Sequence, residues 1–589
     1  MKKTVGKMLL GFMMGLAGGF AFAETEAFFS CPGETGDIAD KSSWGGEFPG
    51  TTRNDYATFK DMTDKTLTSS TDMTFGILKF QRTGELAKSS LLFQPTGKTI
   101  GLQGMLFAGG DISVELKGGL WNFFASSEGN WNLPRINSGS NNQLILSSGT
   151  IITNVANGGY PWMEGQNNSS VILSGGSQIH CRGGFFPFNG GSGNTFQVLD
   201  GSYFKCSAME LGRIGTRSQI PVGNRLVVAG RGSFLRATGR SYIGGGNGTE
   251  GTAGNEMYVT NHAGAILYSG TWYSGDSVIV GTMTQKNRLV IDDYSTVTSS
   301  FLTVGLQAGA SNNFAYVGNN SRLVVRAGGT SGNLVLGAAA GADGNTLVVD
   351  RGEVSIAATL SVGLAGSVGN AVIISNGVVS CNNLSFAGSC AFLRLMGPSA
   401  SLSLRNTTGL LFCRSSQTTV ELDGANWSNA PSVEFSSSGY GNADNALRLV
   451  GGATYSTVNV RLGSSDDAGG HVLYVADNSQ LAVSGWLFAY PNDTVRIKIP
   501  RLGLTRPAVN STWQIDLKKG SVLDLDVSEW TTGKSCTLMM ASSAENFKVD
   551  QSVIDAANAK LSGKCKIALS ADGKSLVARR LTGLVLVVK

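Results

Sequence analysis

The chain has 589 residues, of which 81 are glycine and only 15% are charged. Average proteins contain about 7% glycine and about 25% charged residues, so a helical or multidomain cytosolic enzyme is not expected. Glycine, serine, threonine and asparagine are poor helix formers, and a chain rich in them takes its order from strands and turns. Disorder is not expected either, because 41% of the residues are hydrophobic and the net charge is only +5.

The N-terminus predicts an export signal. Lys2, Lys3 and Lys7 form a basic start, and residues 8–23 carry no charge. A small-x-small cleavage site precedes Glu24, so we expect residues 1–23 to be removed. This uncharged stretch is shorter than the roughly 20 residues that span a bilayer, which favours removal over the alternative, a short membrane anchor. The mature protein is therefore expected outside the cell or at its surface, with the periplasm left open, and without a spanning segment.

Loss of the three lysines lowers the net charge from +5 to about +2. The sequence contains no stretch rich in Lys and Arg of the kind that binds a phosphate backbone, so nucleic acid is not expected as a partner. Eight cysteines remain, and an even number in an exported chain permits disulfides. No C-x-x-C spacing occurs, so neither a zinc knuckle nor a redox pair is expected, and we predict no cofactor. Disulfides and inert buried thiols both stay open for Cys31, Cys181, Cys206, Cys381, Cys390, Cys413, Cys536 and Cys565.

From about residue 140 the chain repeats a template of Asn, one free position and then a largely apolar triplet. The template begins at Asn142, Asn194, Asn224, Asn255, Asn287, Asn345 and Asn370. If Asn168 and Ser321 fill the two gaps, the anchors recur every 24 to 34 residues. A second signature, apolar residues ending in Gly, recurs between anchors at Gly212, Gly244, Gly281, Gly305, Gly337 and Gly363. We therefore predict two short strands and their turns in each unit.

A unit of this length cannot bury its own hydrophobic face, so neighbouring units must stack as the coils of a solenoid. The sequence predicts an all-β, right-handed, single-stranded parallel β-helix of the pectate-lyase type, closed by N- and C-terminal caps. Residues two and four after each Asn should point inward, and stacked Asn side chains should form an amide ladder. A β-propeller is the main alternative, but its blades need about 40 residues and four strands each.

The predicted organisation follows the strength of the repeat. After the signal, residues 24–135 form an N-terminal cap and the first coils, residues 136–390 the regular solenoid, and residues 391–500 degenerate coils. Residues 501–589 form a C-terminal capping region, with strands near 513–517 and 522–527 and a short helix at 551–561. His471 stands where other coils carry the anchor Asn.

The segment Trp-Gly-Gly-Glu-Phe-Pro that starts at Trp44, followed by Asp-Tyr-Ala-Thr-Phe from Asp55, resembles the opening of bacterial autotransporter-type passenger proteins. With the repeats, residues 40–390 resemble the family associated with type V secretion and with PEP-CTERM exosortase substrates. The resemblance implies an exported right-handed parallel β-helix. The chain departs from it in lacking a stretch long enough for a twelve-stranded outer-membrane barrel and a Pro-Glu-Pro sorting tail.

Exported parallel β-helices include polysaccharide lyases and glycoside hydrolases. Polygalacturonases carry an Asp pair, a Gly-His-Gly and an Arg-Ile-Lys, and this chain has Asp466 and Asp467, His471, and Arg496 in that order. Asp467 and His471 are only four residues apart and share one turn, whereas the chemistry needs side chains that converge from stacked coils. We therefore predict no catalytic residues and no enzyme activity.

Aromatic residues cluster upstream of two anchors. Tyr160 and Trp162 lie 26 residues before Phe186 and Phe188, at the same offset from the next anchor. Stacked on a coil edge, these four side chains would form a flat ledge against which sugar rings pack. The alternative is an internal aromatic ladder in the core.

Three functions follow, in order of preference. The first is an exported, non-catalytic, structural or adhesin-like protein whose partners are surface components or extracellular polysaccharide. The second is a polysaccharide-binding module that uses the ledge. The third is a polysaccharide lyase or glycoside hydrolase.

Overall fold

The computed structural model describes residues 25–581 except 53–54, 85–87, 124–133, 137–138, 155–160, 165–166, 182, 214–220, 246–250, 268–277, 327–331, 407–410, 413–415, 436–442, 465–468, 562 and 564. The predicted signal, residues 1–23, and Glu24 lie outside these ranges. No helix within them is long and apolar enough to cross a membrane.

The described chain is a parallel β-solenoid, which confirms the predicted fold class. Each regular coil contains three strands rather than the two we predicted, and each strand pairs in parallel with its counterparts in the neighbouring coils. The missed strand lies between the anchor strand and the strand that ends in Gly. In the coil of Arg288–Ile291 and Leu302–Val304, for example, it is Thr296–Ser299. Three ladders of strands therefore run along the solenoid.

Ladder 1 carries the anchor template. Its strands are Thr35–Asp37, Lys65–Thr68, Ser89–Gln94, Ile112–Lys117, Gln143–Ser147, Ser170–Leu173, Thr195–Leu199, Arg225–Ala229, Glu256–Thr260, Arg288–Ile291, Phe314–Gly318, Thr346–Asp350, Ala371–Ser375, Phe392–Met396, Thr419–Asp423, Ala446–Val450, Val472–Val475, Thr494–Lys498 and Val522–Asp526. Side chains two and four residues after the anchor point inward as predicted; Leu226 and Val228, for example, are fully buried.

Ladder 2 follows each ladder 1 strand after a turn. Its strands are Leu120–Phe123, Ile151–Asn154, Gln178–His180, Tyr203–Cys206, Phe234–Ala237, Gly264–Leu267, Thr296–Ser299, Arg322–Val325, Glu353–Ile356, Val378–Cys381 and Ser401–Leu404, continued by Asn426–Ala430, Thr454–Thr457, Gln480–Val483, Val509–Ser511 and Ser535–Met540.

Ladder 3 completes each coil. Its strands are Thr25–Phe28, Asp55–Lys60, Pro134–Ile136, Pro161–Glu164, Gly184–Asn189, Ala208–Arg213, Ser241–Ile243, Val278–Val280, Leu302–Val304, Leu334–Leu336, Thr359–Val362 and Asn383–Phe386, continued by Leu411–Phe412, Val433–Glu434, Val460–Arg461, Trp486–Ala489, Gln514–Leu517 and Phe547–Val549. Two long strands, Met73–Gln81 and Thr99–Ala108, pass from ladder 2 into ladder 3. A small extra pair joins Gly251–Thr252 to Thr284–Gln285.

Parallel pairing runs from the first described strand into the region after residue 500 that we predicted as a C-terminal cap. It begins where Thr25–Phe28 pairs with Asp55–Lys60, and it ends at Phe547–Val549. The helix Gln551–Lys560 follows, close to the predicted position. The final strands, Cys565–Leu569 and Ser575–Arg580, pair in antiparallel fashion.

Inward side chains fill the core of the solenoid, and the residue types in this core change along the chain. The first coils are aromatic: the Phe59 ring lies 5.7 Å from that of Phe80 and 5.2 Å from that of Phe93. Trp44 joins them, with its ring 5.5 Å from Phe59. The motif that carries the family resemblance therefore contributes core residues. From about residue 226 onward Leu, Val and Ile predominate in the core.

The predicted amide ladder is present at the corner before the ladder 1 strands from Gln143–Ser147 to Ala371–Ser375, with a serine in place of Asn in one coil. The Asn313 backbone N–H donates to Asn345 Oδ1 at 3.1 Å, and the Asn345 N–H donates to Asn370 Oδ1 at 3.0 Å. The same bond recurs through Asn142, Asn194, Asn224, Asn255 and Asn287, all of which are buried. Each coil is thus hydrogen-bonded to the next by side chains as well as by strands.

Two of the predicted anchors, Asn168 and Ser321, are wrong. Ser169, not Asn168, accepts the bond from Asn142, and Asn168 takes a positive φ of 54°. Asn313, not Ser321, is the anchor of its coil; the Ser321 hydroxyl accepts from Ser295 at the start of a ladder 2 strand. The error arose because an Arg-Leu-Val-Val run follows Ser321, whereas Asn313 precedes Phe-Ala-Tyr, which hides the template.

The Gly of the second signature packs against the second anchor that follows it in sequence. Gly281 has a φ of 77°, and a Cβ at that position would lie 2.3 to 2.5 Å from the amide atoms of Asn313. Gly244 stands in the same relation to Asn287. A column of glycines therefore leaves the space that the column of asparagines occupies, which explains why the two signatures recur together.

Candidate binding surface

The predicted aromatic ledge does not include Phe188. This side chain is fully buried between the ladders, so it packs in the core and cannot stack on a sugar ring. The strand register also differs from the sequence spacing by one residue, because Met163 rather than Trp162 pairs with Phe188. Tyr160 lies outside the described residues. Trp162 and Phe186 lie within strands whose backbone alone is described there.

The residues that resemble a polygalacturonase site do not form one in the described part of the chain. His471 is fully buried. Its ring Nδ1 accepts the Asn445 backbone N–H at 3.3 Å, and its backbone N–H donates to Asp493 Oδ1 at 3.2 Å. It therefore continues the anchor ladder, as we predicted. Arg496 binds Asp524 on the solenoid exterior at 2.6 Å. Asp466 and Asp467 lie outside the described residues.

The titratable groups of the described chain make no metal site. No group of three or more His, Cys, Asp or Glu side chains within it is arranged to hold a metal ion. The seven described cysteines are free thiols, and Cys413 falls outside the described ranges. Burial raises the pKa of the Cys181 thiol to about 12, and it raises that of Cys206 in the next coil as well. These two thiols are inert rather than nucleophilic at neutral pH.

A groove of about 450 Å³ lies on ladder 2 in the degenerate coils. Its walls are uncharged and non-aromatic, formed among others by Asn429, Ser456, Ser484, Asn510 and Thr512. Nothing in these walls selects a ligand by charge or by stacking.

An aromatic and basic strip lies on the outer face of ladder 2, in the two coils that follow the predicted ledge. We call the outward side chains of Tyr203, Lys205, Phe234 and Arg236 the Tyr203 strip. Their inward neighbours Phe204, Cys206, Leu235 and Ala237 are fully or almost fully buried, which fixes the strip on the exterior. Tyr203 pairs with Phe234, and Lys205 pairs with Arg236.

The rings of the strip are stacked. The Tyr203 and Phe234 ring centroids lie 6.1 Å apart with an interplanar angle of 13°. On the far side of Phe234 the next coil has Gly264, where a Cβ would lie 2.8 and 2.9 Å from two Phe234 ring carbons. The glycine therefore leaves the space that the phenyl ring occupies. In the preceding coil His180 pairs with Lys205, and its ring lies 5.5 Å from that of Tyr203.

The two cations of the strip have no acidic partner among the described residues. Lys205 and Arg236 are both exposed and stand on directly paired positions, about one strand spacing of 4.8 Å apart. Burial, and then the charge of Lys205, lowers the pKa of His180, so this ring adds no positive charge at neutral pH. Like charges on paired strand positions repel each other.

Some exposed cations elsewhere on the solenoid pair with carboxylates. On ladder 1 the Glu256 carboxylate lies between two arginines, 2.8 Å from Arg225 and 3.7 Å from Arg288. On ladder 3 the stacked Trp486 and Phe488 rings are covered by Arg461 and Lys518, which pair with Glu434 and Asp516. The Tyr203 strip differs from both surfaces in its unpaired charge.

Sequence reasoning missed this strip because it missed the middle strand of each coil. A signal was present: Tyr-Phe-Lys-Cys from Tyr203 and Phe-Leu-Arg-Ala from Phe234 both alternate an aromatic or basic residue with an apolar one. That alternation marks a half-buried strand.

The sequence matches no protein-family model and no curated protein. The resemblance to autotransporter-type passengers therefore stays a prediction from the motifs alone.

Proposed function

We propose that the protein is an exported, non-catalytic β-solenoid that acts as a structural or adhesive component at the cell surface or outside the cell. The observation that supports this proposal is the use of the recurring polar residues. The anchor asparagines and His471 are buried and hydrogen-bonded to the next coil, so the repeat builds a scaffold and leaves its exterior for interaction.

A polysaccharide-binding role is the second candidate. The Tyr203 strip favours it, because half-buried aromatic rings on the exterior beside unpaired cations offer both ring contacts and charge to a sugar chain.

Cell fractionation with N-terminal sequencing tests the export step of the proposal. We expect the protein outside the cytoplasm with Glu24 as its first residue. Ala23→Tyr removes the small residue at the cleavage position and should leave an uncleaved precursor, whereas the control Glu24→Gln should be processed normally. Full-length protein that starts at Met1 and stays in the cytoplasm would contradict export and, with it, the surface role.

A further inference from the structure

We propose that the Tyr203 strip binds an acidic polysaccharide with one carboxylate on each sugar ring, a polyuronate, laid along the solenoid axis. The inference goes beyond the proposed scaffold role, since a scaffold needs no ligand, but it depends on export for contact with extracellular polymers.

Charge supplies the first reason. Lys205 and Arg236 stand side by side without a carboxylate partner among the described residues, whereas on ladder 1 Arg225 and Arg288 share Glu256. One carboxylate bound at each of the two side chains would neutralise both of them. Charge-assisted hydrogen bonds from ammonium and guanidinium groups to carboxylates are the strong ones among protein hydrogen bonds.

Aromatic surface supplies the second reason. The half-buried Tyr203 and Phe234 rings lie directly beside the cations, in the adjacent row of the same two strands. A pyranose ring has an apolar C–H face and a polar edge. It can therefore place its C–H groups against the rings while its carboxylate reaches the cations.

Periodicity supplies the third reason. Successive coils repeat these positions at one strand spacing, about 4.8 Å, which is close to the length of one sugar unit in an extended chain. Two consecutive uronates would then meet Lys205 with Tyr203, and Arg236 with Phe234. The row of the rings ends at Gly264, and the row of the cations lies between His180 and Ile266, so the strip spans few sugar units.

Equilibrium binding of the mature protein, residues 24–589, to polygalacturonate and to alginate tests the proposal, with neutral dextran as the uncharged probe. We expect both polyuronates to bind, with an affinity that falls as salt is added, and dextran not to bind. The double variant Lys205→Gln/Arg236→Gln should lose about tenfold or more in affinity. The double variant Lys205→Arg/Arg236→Lys, which keeps both charges, should bind within about threefold of the wild type.

The matched control is Arg225→Gln/Arg288→Gln, which removes the same number of positive charges from the exterior of ladder 1. It should retain wild-type affinity. The thermal midpoints of the variants should match the wild type, because all four positions are exposed. If a double variant does not fold, the single variants Lys205→Gln and Arg236→Gln provide the same comparison.

Absence of polyuronate binding by the folded wild type would overturn the proposal, and so would an undiminished affinity in Lys205→Gln/Arg236→Gln. An equal loss in the ladder 1 control would assign binding to net charge rather than to the strip. Equally tight, strip-dependent binding of a DNA fragment or of polyphosphate would assign it to anions in general, and either result would contradict a polysaccharide site. None of these results bears on export, so the scaffold proposal stands or falls separately.

Discussion

Replacement of one anchor asparagine by alanine should remove the hydrogen bonds that join neighbouring coils at one corner of the solenoid and destabilise the chain there. In Asn345→Ala the mutated side chain can no longer accept the Asn313 N–H, at 3.1 Å, or the Asn313 side-chain amide, at 3.1 Å. It also loses the bond that its own Nδ2 donates to Asn370 Oδ1 at 3.2 Å. All three residues are buried, so water cannot replace these bonds.

The loss is dominated by the orphaned backbone donor. A buried N–H without a partner costs about 1–3 kcal/mol, and each further hydrogen bond contributes about 0.5–1.5 kcal/mol. The sum predicts a destabilisation of about 3 kcal/mol. Asn345→Ser should lose less, because the natural serine anchor Ser169 accepts the preceding N–H through its hydroxyl at 3.1 Å.

Hydrogen exchange read by mass spectrometry is the assay, because coils of a repeat protein can open locally without a two-state transition. Peptides that cover residues 313–350 should exchange about a hundredfold faster in Asn345→Ala than in the wild type. The control Asn426→Ala alters an exposed asparagine on ladder 2 and should change exchange little. Exchange of the 313–350 peptides at the wild-type rate in Asn345→Ala would refute the view that the amide ladder holds the coils together.

Three further predictions concern other parts of the solenoid. Gly281→Ala should lower the free energy of unfolding by about 2 kcal/mol or more in denaturant titration, because the site needs a positive φ and the Cβ would displace a neighbouring amide; a neutral result would contradict the glycine column. The Cys181 thiol should resist alkylation at pH 8 in native protein and react once the chain is denatured, whereas rapid native labelling would contradict its burial. Burial alone raises the pKa of Glu26, but hydrogen bonds and the charge of Lys79 outweigh it, so the pKa lies below its ordinary 4.5. The pair therefore stabilises the protein at neutral pH and loses that effect as the pH falls through this pKa; Lys79→Met should raise the Glu26 pKa in an NMR titration, and an unchanged value would refute the pairing.

The general fold could be predicted because one pattern repeats on one ladder. Each anchor Asn, as at Asn224, precedes two inward apolar residues, and alternation of this kind reports a strand whatever surrounds it. His471 could be recognised as an anchor from its position in the same pattern, and its buried ladder bonds confirm that reading.

The middle strand is harder to predict than the anchor strand, because alternation alone marks it and ladder 2 has no polar residue that recurs in every coil. Its strands run from Tyr-Phe-Lys-Cys to Gly-Ala-Ile-Leu within two coils. Without that strand, the exterior side chains of Tyr203 and Phe234 could not be aligned. The turns also vary in length, so equal spacing placed Trp162 opposite Phe188 although the pairing is offset by one residue.

Incubation of the mature protein with polygalacturonate, followed by size-exclusion chromatography with light scattering, tests most directly whether this solenoid binds a polysaccharide without cleaving it. We predict that the polymer co-elutes with the protein and, once released by salt, has the chain length with which it entered. A polymer that emerges shortened would show catalysis and contradict the non-catalytic proposal, and one that elutes apart from the protein would contradict the binding strip.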